Sequence, residues 1–360
     1  MDEIWINGAT GRCGRAIAAK LAERGAPLGL LGRNAERLRA VAGEIGGAPR
    51  IVVADSPEAV GARIAEHAPA VVVNTVGPFS ETAPPILRAL PPGTHYTDLS
   101  NDLSTLGALS ARHEQLAAAG STAVPGAGFG VLGTESVVLK LCAGKPAPRR
   151  VRVNRVAAIG SDGAAAVGEA LASTLVEGIV KGGRRYADGK LVRAAIGSEA
   201  ETLSLPDGRT ARMAAGPSGE LEAARRASGA PFVVAGSGEL PSGAVARAVF
   251  PVLGALLSVS AIGRFAKRGI ARMRVPESTG GSEYSWAHAR VSWPDGETRQ
   301  GWLRTGEGMG YTTSVAAEVA YRLAEGKGRP GAHTPGALFG PELAEAAGGT
   351  FLLEEAHQTV

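Results

Sequence analysis

Short, nearly unbroken apolar runs recur through the first third of the chain: Ile4-Trp5-Ile6, Leu28-Gly29-Leu30-Leu31, Ile51-Val52-Val53 and Val71-Val72-Val73. After the first run, apolar and small residues return at helical spacing, as at Ile17 and Leu21. Strands covered on both faces read as continuous apolar runs, and their alternation with helical stretches predicts a parallel sheet between two helical layers. Helices are expected over 34–46 and 57–66, then from near Pro84 to the break at Pro91-Pro92-Gly93, and over 105–119. Further strands are expected at 95–100 and 122–124, and a bridging helix at 131–142.

From about Arg149 the pattern changes to alternation, with strands predicted near 152–157, 184–192 and 200–205 and a hairpin pairing 284–293 with 297–304. Asp188-Gly189, Asp207-Gly208 and Asp295-Gly296 are hairpin turn signals, so this sheet is expected to be antiparallel. Helices are expected near 163–181, 218–227 and 312–325, with 334–353 as a terminal stretch. The fold class predicted is α/β. Residues 1–130 form a doubly wound Rossmann sheet, 131–309 a second α+β domain for substrate binding or dimerisation, and 310–360 packs back on the first.

Composition narrows the picture without changing it. A chain of 360 residues can bury two cores, and 44% apolar with 20% charged residues is globular usage. Basic residues exceed acidic ones by four and are scattered, which excludes a concentrated nucleic-acid face. Two cysteines, Cys13 and Cys142, provide neither a disulfide framework nor a thiolate zinc site, and the N-terminus lacks signal-peptide character, so a cytoplasmic location is expected. The six histidines show no pair at metal-ligand spacing, and no metal is predicted. One stretch, 248–263, carries no charge and is followed by Lys267, Arg268, Arg272 and Arg274. It reads as a buried helix or a cover over an apolar site, with a peripheral membrane-surface helix as the alternative; a homodimer is a further use for it.

The candidate chemistry begins at Gly8-Ala9-Thr10-Gly11-Arg12-Cys13-Gly14, between the first strand and first helix. The first glycine permits a sharp turn, the second a close backbone approach to a pyrophosphate, and the third close helix-to-strand packing, while the helix N-terminus attracts the anion. Gly8, Ala9, Thr10, Gly11, Arg12 and Gly14 are therefore cofactor-binding candidates. An acidic residue at the end of the second strand would bond the ribose 2′-OH of NAD; Arg33 stands there instead, with Asn34 beside it, and fits the 2′-phosphate of NADPH. Asp55 ends the third strand, where it faces the adenine edge or caps the next helix. Asn74 and the loop Val76-Gly77-Pro78 follow the fourth strand, under the nicotinamide and its ribose. Tyr96 and Asp98 lie at the fifth strand end, with His95, Asp102 and Tyr311 as weaker candidates. Tyr186-Ala-Asp-Gly-Lys190 has the Tyr-x-x-x-Lys spacing of short-chain dehydrogenases, but its Asp-Gly makes it a hairpin turn.

The blocks Gly8 to Gly14, Gly32-Arg33-Asn34, Val73-Asn74-Thr75-Val76-Gly77-Pro78-Phe79, Tyr96-Thr97-Asp98-Leu99-Ser100, Pro125-Gly-Ala-Gly-Phe-Gly130 and Gly308-Met-Gly310-Tyr311 with Thr334-Pro335 resemble the saccharopine dehydrogenase-like NADP-binding reductases, including saccharopine reductase and trans-acting enoyl reductase relatives. The resemblance implies a Rossmann domain, NADPH and hydride transfer. Where the family often has Gly-Glu, this chain has Asn101-Asp102. The expected activity is NADPH-dependent reduction of a small-molecule imine, with Asp98 and Tyr96 as the leading catalytic candidates for protonating or stabilising the nitrogen. The alternatives are an enoyl reductase acting on a lipid or polyketide chain, and a non-catalytic NADPH-binding sensor.

Overall fold

The computed structural model describes residues 2–158, 172, 176, 178–180, 182–238, 244–258, 260–273, 283–354 and 357–358. The chain forms two compact units, the first from residues 1–100, 104–128 and 309–339, the second from 101–103, 129–308 and 340–360.

In the first unit the apolar runs become β1 (Ile4–Asn7), β2 (Leu28–Gly32), β3 (Arg50–Val53) and β4 (Val71–Asn74). The helices α1 (Arg12–Ala22), α2 (Ala35–Ile45) and α3 (Pro57–His67) alternate with them. After α4 (Phe79–Ala89) come β5 (His95–Asp98), α5 (Leu103–Ser110), α6 (His113–Ala118) and β6 (Thr122–Val124). The sheet runs Gly331–Ala332, β6, β5, β4, β1, β2, β3, and each pairing in it is parallel. Ile4 registers with Leu28 on one side and Val71 on the other, which closes β1 between two apolar strands. Trp5, Leu31, Val72 and Tyr96 pack with Val60, Ile64 and Ile86 in the core on one face.

Helix starts differ from the pattern in two places. Helix α4 begins at Phe79 rather than near Pro84, and contains Pro84 and Pro85. Neither proline has an N–H to donate to the carbonyl four residues back; burial of Phe79, Ala83, Ile86 and Leu87 outweighs that loss. The single helix expected over 105–119 is two, α5 and α6, interrupted at Ala111-Arg112.

The second unit opens with α7 (Phe129–Cys142), buried along most of its length, and β7 (Arg150–Val156). Its other elements include β8 (Gly183–Ala187), β9 (Lys190–Ala194), β10 (Glu201–Ser204), β11 (Thr210–Ala215), α8 (Gly219–Ser228) and β12 (Phe232–Ser237). Helices α9 (Ala244–Ser258) and α10 (Ser260–Arg272) lead to the hairpin β13 (Ser285–Ser292) and β14 (Glu297–Thr305). The sheet path runs β10, β11, β12, β7, β13, β14 and then Thr350–Leu353. It is mostly antiparallel; β12, which is not among the strands expected from the pattern, pairs parallel with β7 from Phe232↔Arg150 to Ser237↔Arg155. Tyr186 and Lys190 sit on β8 and β9, with Asp188 at φ 49° and Gly189 at φ 73° between them, so their spacing is that of a hairpin.

The boundary expected at 130/131 falls at 128/129. Residues 309–339 fall in the first unit and 340–360 in the second. The reason is a strand ladder: Thr350–Leu353 continues the sheet beyond β14, from Arg304↔Thr350 to Gly301↔Leu353. The helix expected over 163–181 lies largely outside the described residues. The uncharged run 248–263 is not a wholly buried helix, since Val249, Leu256 and Ile262 are exposed.

Candidate active site

Strand order reverses at β1, whose neighbours are β2 and β4. Open α/β sheets bind ligands outside the carboxyl ends of strands at such a point, because the loops there diverge to opposite faces. Asn7 registers with Leu31 and with Asn74, so Gly8, Gly32 and Thr75 emerge side by side. Gly8 has φ +86°, and its N–H donates to the Leu31 carbonyl at 3.0 Å. A Cβ at Gly8 would lie 2.5 Å from Thr75 Oγ1 and 2.7 Å from Val76 Cγ2. A Cβ at Gly14 would lie 2.3 Å from the Gly8 carbonyl oxygen. These glycines let the turn close against both α1 and the β4 loop.

The N-terminus of α1 is left open for an anion. Gly11 is its N-cap without a side-chain cap, and its first turn contains no acidic residue. The neighbouring helices contrast with it: Asn34 Oδ1 accepts from Arg37 N at 2.9 Å to cap α2, Ser56 caps α3, and each has a glutamate in its first turn. A capped helix end has already satisfied part of what an anion would offer. Asn34 thus has a capping duty, and Asp55 is not the cap of α3. Arg33, at the end of β2, is exposed, as is Asp55 at the end of β3. A groove of about 740 Å³ lies along α1 and α2, lined by Thr10, Gly11, Arg12 and Arg15 among others. It touches the turn but not Gly8, Arg33 or Val76, so strand order rather than cavity size marks the crevice.

Behind the loops lies a buried polar chain. Asn7 Nδ2 donates to Asn74 Oδ1 at 2.9 Å, and Val76 N donates to the same oxygen at 3.2 Å. Asn74 Nδ2 donates to Thr82 Oγ1 at 3.0 Å and Tyr96 Oη at 3.2 Å. Thr82 Oγ1 in turn donates to the Val76 carbonyl at 2.6 Å, while Thr75 Oγ1 donates to the Asn7 carbonyl at 2.8 Å. Asn74 therefore holds Val76-Gly77-Pro78 from behind instead of standing in the crevice. Asn7, Thr75 and Thr82 complete this scaffold; Thr75 lies inside the Asn74–Phe79 block without a role of its own read there, Asn7 and Thr82 lie in no motif, and Thr82 falls in the part of α4 that its prolines obscure.

Tyr96 and Asp98 are both 0% exposed and belong to the same chain. Tyr96 Oη donates to Asp98 Oδ2 at 2.9 Å. Asp98 Oδ1 accepts from Ser100 N at 3.0 Å, Ser100 Oγ at 2.6 Å and Gly126 N at 3.1 Å. Desolvation raises the Asp98 pKa above the usual aspartate value, and these donors oppose the rise. The arrangement ties the end of β5 to the loop after β6, where Ala127 N also bonds the Asp98 carbonyl at 2.8 Å.

The weaker candidates separate. His95 Nδ1 accepts from Thr122 N at 3.0 Å, and burial lowers its pKa, so it is a neutral sheet residue. Tyr311 is buried, with its phenol pKa raised by burial. Asp102 belongs to the second unit. Among the described residues no group of His, Cys, Asp and Glu is arranged to hold a metal ion.

The second unit contains its own polar network on the sheet face. Buried Arg152 and the Arg290 side chain pair with Glu201, and Arg150 and Arg185 pair with Glu199 at 2.6 and 2.9 Å. Asn154 Nδ2 lies 3.2 Å from His288 Nδ1, and the His288 ring is 4.3 Å from that of Trp302. Burial, reinforced by Arg290, lowers the His288 pKa to about 4. The alternating strand reading places Arg152 and Asn154 on one strand, His288 and Arg290 on a second and Glu201 on a third, but gives no sign that they meet.

The fold matches that of apo saccharopine dehydrogenase (L-Glu forming) from Saccharomyces cerevisiae with a TM-score of 0.62 and 13% identity, covering 99% of this chain and 100% of that one. The chain therefore has a saccharopine dehydrogenase-like fold. A metagenomic short-chain oxidoreductase in complex with NADP has 22% identity over 34% of this chain and 80% of its own, at a TM-score of 0.30. A 3-ketoacyl-(acyl-carrier-protein) reductase from Brucella melitensis complexed with NADH has 20% identity over 34% and 73%, at 0.29. No protein-family profile and no curated protein sequence matches the chain.

Proposed function

We propose that this protein is a pyridine-nucleotide-dependent oxidoreductase that uses NADPH to reduce a C=N bond in a small molecule. The observation that carries the reading is the turn at the strand-order reversal, where the Gly8 and Gly14 positions have no room for a Cβ and α1 is neither capped nor acidic at its start. The saccharopine dehydrogenase-like fold supports it. These features fit a dinucleotide: Gly8, Ala9, Thr10, Gly11, Arg12 and Gly14 would hold the pyrophosphate. Arg33, assisted by Asn34, would meet the 2′-phosphate, with Asp55 near the adenine edge and Val76, Gly77 and Pro78 beside the nicotinamide.

Bound NADPH would supply the hydride, and the nitrogen of the reduced bond would take a proton. The chain's own contribution is orientation. Asn74 and Thr82 hold the Val76 amide and carbonyl, and Gly8 abuts Thr75 and Val76, so the nicotinamide loop and phosphate turn are fixed together. Tyr96 and Asp98 enter this reading as positioning residues: the carboxylate has four donors already, and the phenol is held between Asn74 and Asp98.

NADPH oxidation measured against a panel of cyclic imines and enoyl thioesters tests the proposal, with turnover expected for imines. Turnover with enoyl thioesters alone would replace C=N by C=C reduction. Tight NADPH binding without oxidation by any panel member would make this a nucleotide-binding sensor. Asp98→Asn and Tyr96→Phe are expected to lower activity while leaving the pH–rate profile unchanged; a shifted limb would make either residue a proton donor.

A further inference from the structure

We propose that helices α9 and α10 form a docking surface for an anionic lipid membrane. Nine large apolar side chains are exposed among the described residues, and five fall in this short stretch: Val249 (51%), Leu256 (51%), Ile262 (43%), Phe265 (80%) and Met273 (60%). Isolated exposed apolar residues are ordinary on a protein surface, whereas a concentration on one helical pair marks an interaction site.

The charges in the same stretch are all of one sign. Between Glu239 and Glu277 there are six basic residues, Arg247, Arg264, Lys267, Arg268, Arg272 and Arg274, and no acidic one. The chain's net charge is only +4, so its whole excess resides here and the remainder is slightly acidic. On α10, Arg264, Arg268 and Arg272 are exposed and follow one another at intervals of four, forming a row along the helix. Ile262 and Phe265 are exposed on the same helix, and Met273 directly follows it. An apolar stripe beside a row of arginines suits a helix lying in the membrane interface: the rings and aliphatic groups enter the acyl boundary, and guanidinium groups meet phosphates.

The opposite side is taken up by the protein. Leu257 and Gly263 are buried, and a Cβ at Gly254 would lie 3.0 Å from the Ile179 carbonyl oxygen, which seats α9 on the helical residues 178–180. No helix among the described residues is long and apolar enough to cross a membrane, so the contact is a surface one. A second copy of the chain is a poorer occupant than lipid. A two-fold interface brings the same patch together with itself, setting arginine row against arginine row.

Sedimentation of the full-length protein with vesicles tests this. The protein is expected to pellet with phosphatidylcholine vesicles containing phosphatidylglycerol, to remain in solution with phosphatidylcholine alone, and to be released by added salt. Phe265→Glu and the double variant Arg264→Gln/Arg268→Gln are each expected to weaken binding roughly tenfold or more, with unchanged tryptophan fluorescence and melting as folding controls. Wild-type protein that stays in the supernatant with both vesicles would overturn the proposal. So would binding that ignores lipid charge, or a Phe265→Glu variant that turns a dimer into a monomer while neither form pellets.

Discussion

At the scale of single residues, the glycine turn after β1 depends on what is missing from two side chains. Gly14→Ala would place a Cβ against the Gly8 carbonyl oxygen, a backbone atom that can yield only by moving the turn. An overpacking cost of roughly 1–3 kcal/mol is expected. It should appear as weaker NADPH binding in a fluorescence titration, while circular dichroism is unchanged. Arg33 acts by presence instead. Its guanidinium is exposed at the strand end, and in the proposed site a charge-assisted bond to the 2′-phosphate would contribute about 1.5–3 kcal/mol. Arg33→Asp is therefore expected to lower the preference for NADPH over NADH roughly tenfold to a hundredfold. An unchanged ratio in paired titrations would remove Arg33 from the 2′-phosphate site.

At the scale of elements, the decisive object is the contact between strand ends. Asn74 joins β1, β4, β5 and α4 through Asn7, Val76, Tyr96 and Thr82. Asn74→Ala would leave Asn7 Nδ2 and the Val76 N–H without the Asn74 acceptor, at a cost of roughly 3 kcal/mol. Chemical denaturation should show the loss. NADPH affinity should fall as well, because the loop carrying Val76 is released. Caps act on a smaller scale: Ser56 Oγ accepts from Ala59 N at 3.2 Å, and Ser56→Ala is expected to cost about 1 kcal/mol without altering cofactor affinity.

At the scale of the molecule, buried and half-buried histidines in both units couple stability to pH. His288 has an ordinary value of 6.5 and a folded value of about 4, because burial and Arg290 disfavour its charged form. Between those values the unfolded chain takes up a proton that the folded chain refuses, so stability falls as pH falls through this window. The total is on the order of 3 kcal/mol. His95 and His333, in the first unit, shift in the same direction, so comparison of wild type with His288→Gln isolates the second-unit contribution. Trp286, Trp293 and Trp302 lie in the second unit and only Trp5 in the first, which makes tryptophan fluorescence the suitable probe. The variant is expected to lose less stability between pH 6.5 and 4.5 in urea titrations. A slope equal to that of wild type would count against the buried neutral imidazole.

Much of this was legible in the order of residues. The apolar runs separated by helical spacing determine the parallel sheet, because a strand covered on both faces has no polar side to show. The Asp-Gly pairs determine the hairpins of the second unit, because those turns require backbone angles that few residues adopt. Gly8, Gly11 and Gly14 determine a tight strand-to-helix turn, because a side chain at Gly8 or Gly14 would meet its neighbours. Only tertiary structure decided the rest. Asn74, Tyr96 and Asp98 read as crevice residues from their strand ends, yet each strand end has a front and a back, and packing of α4 and the β6 loop places all three in a closed hydrogen-bond chain. Residues 340–360 joined the second unit because β14 offered a strand edge, which no local pattern announces. The run 248–263 is apolar in either setting; its exposure, and its pairing with a row of arginines, followed from which side of α9 and α10 the protein covered.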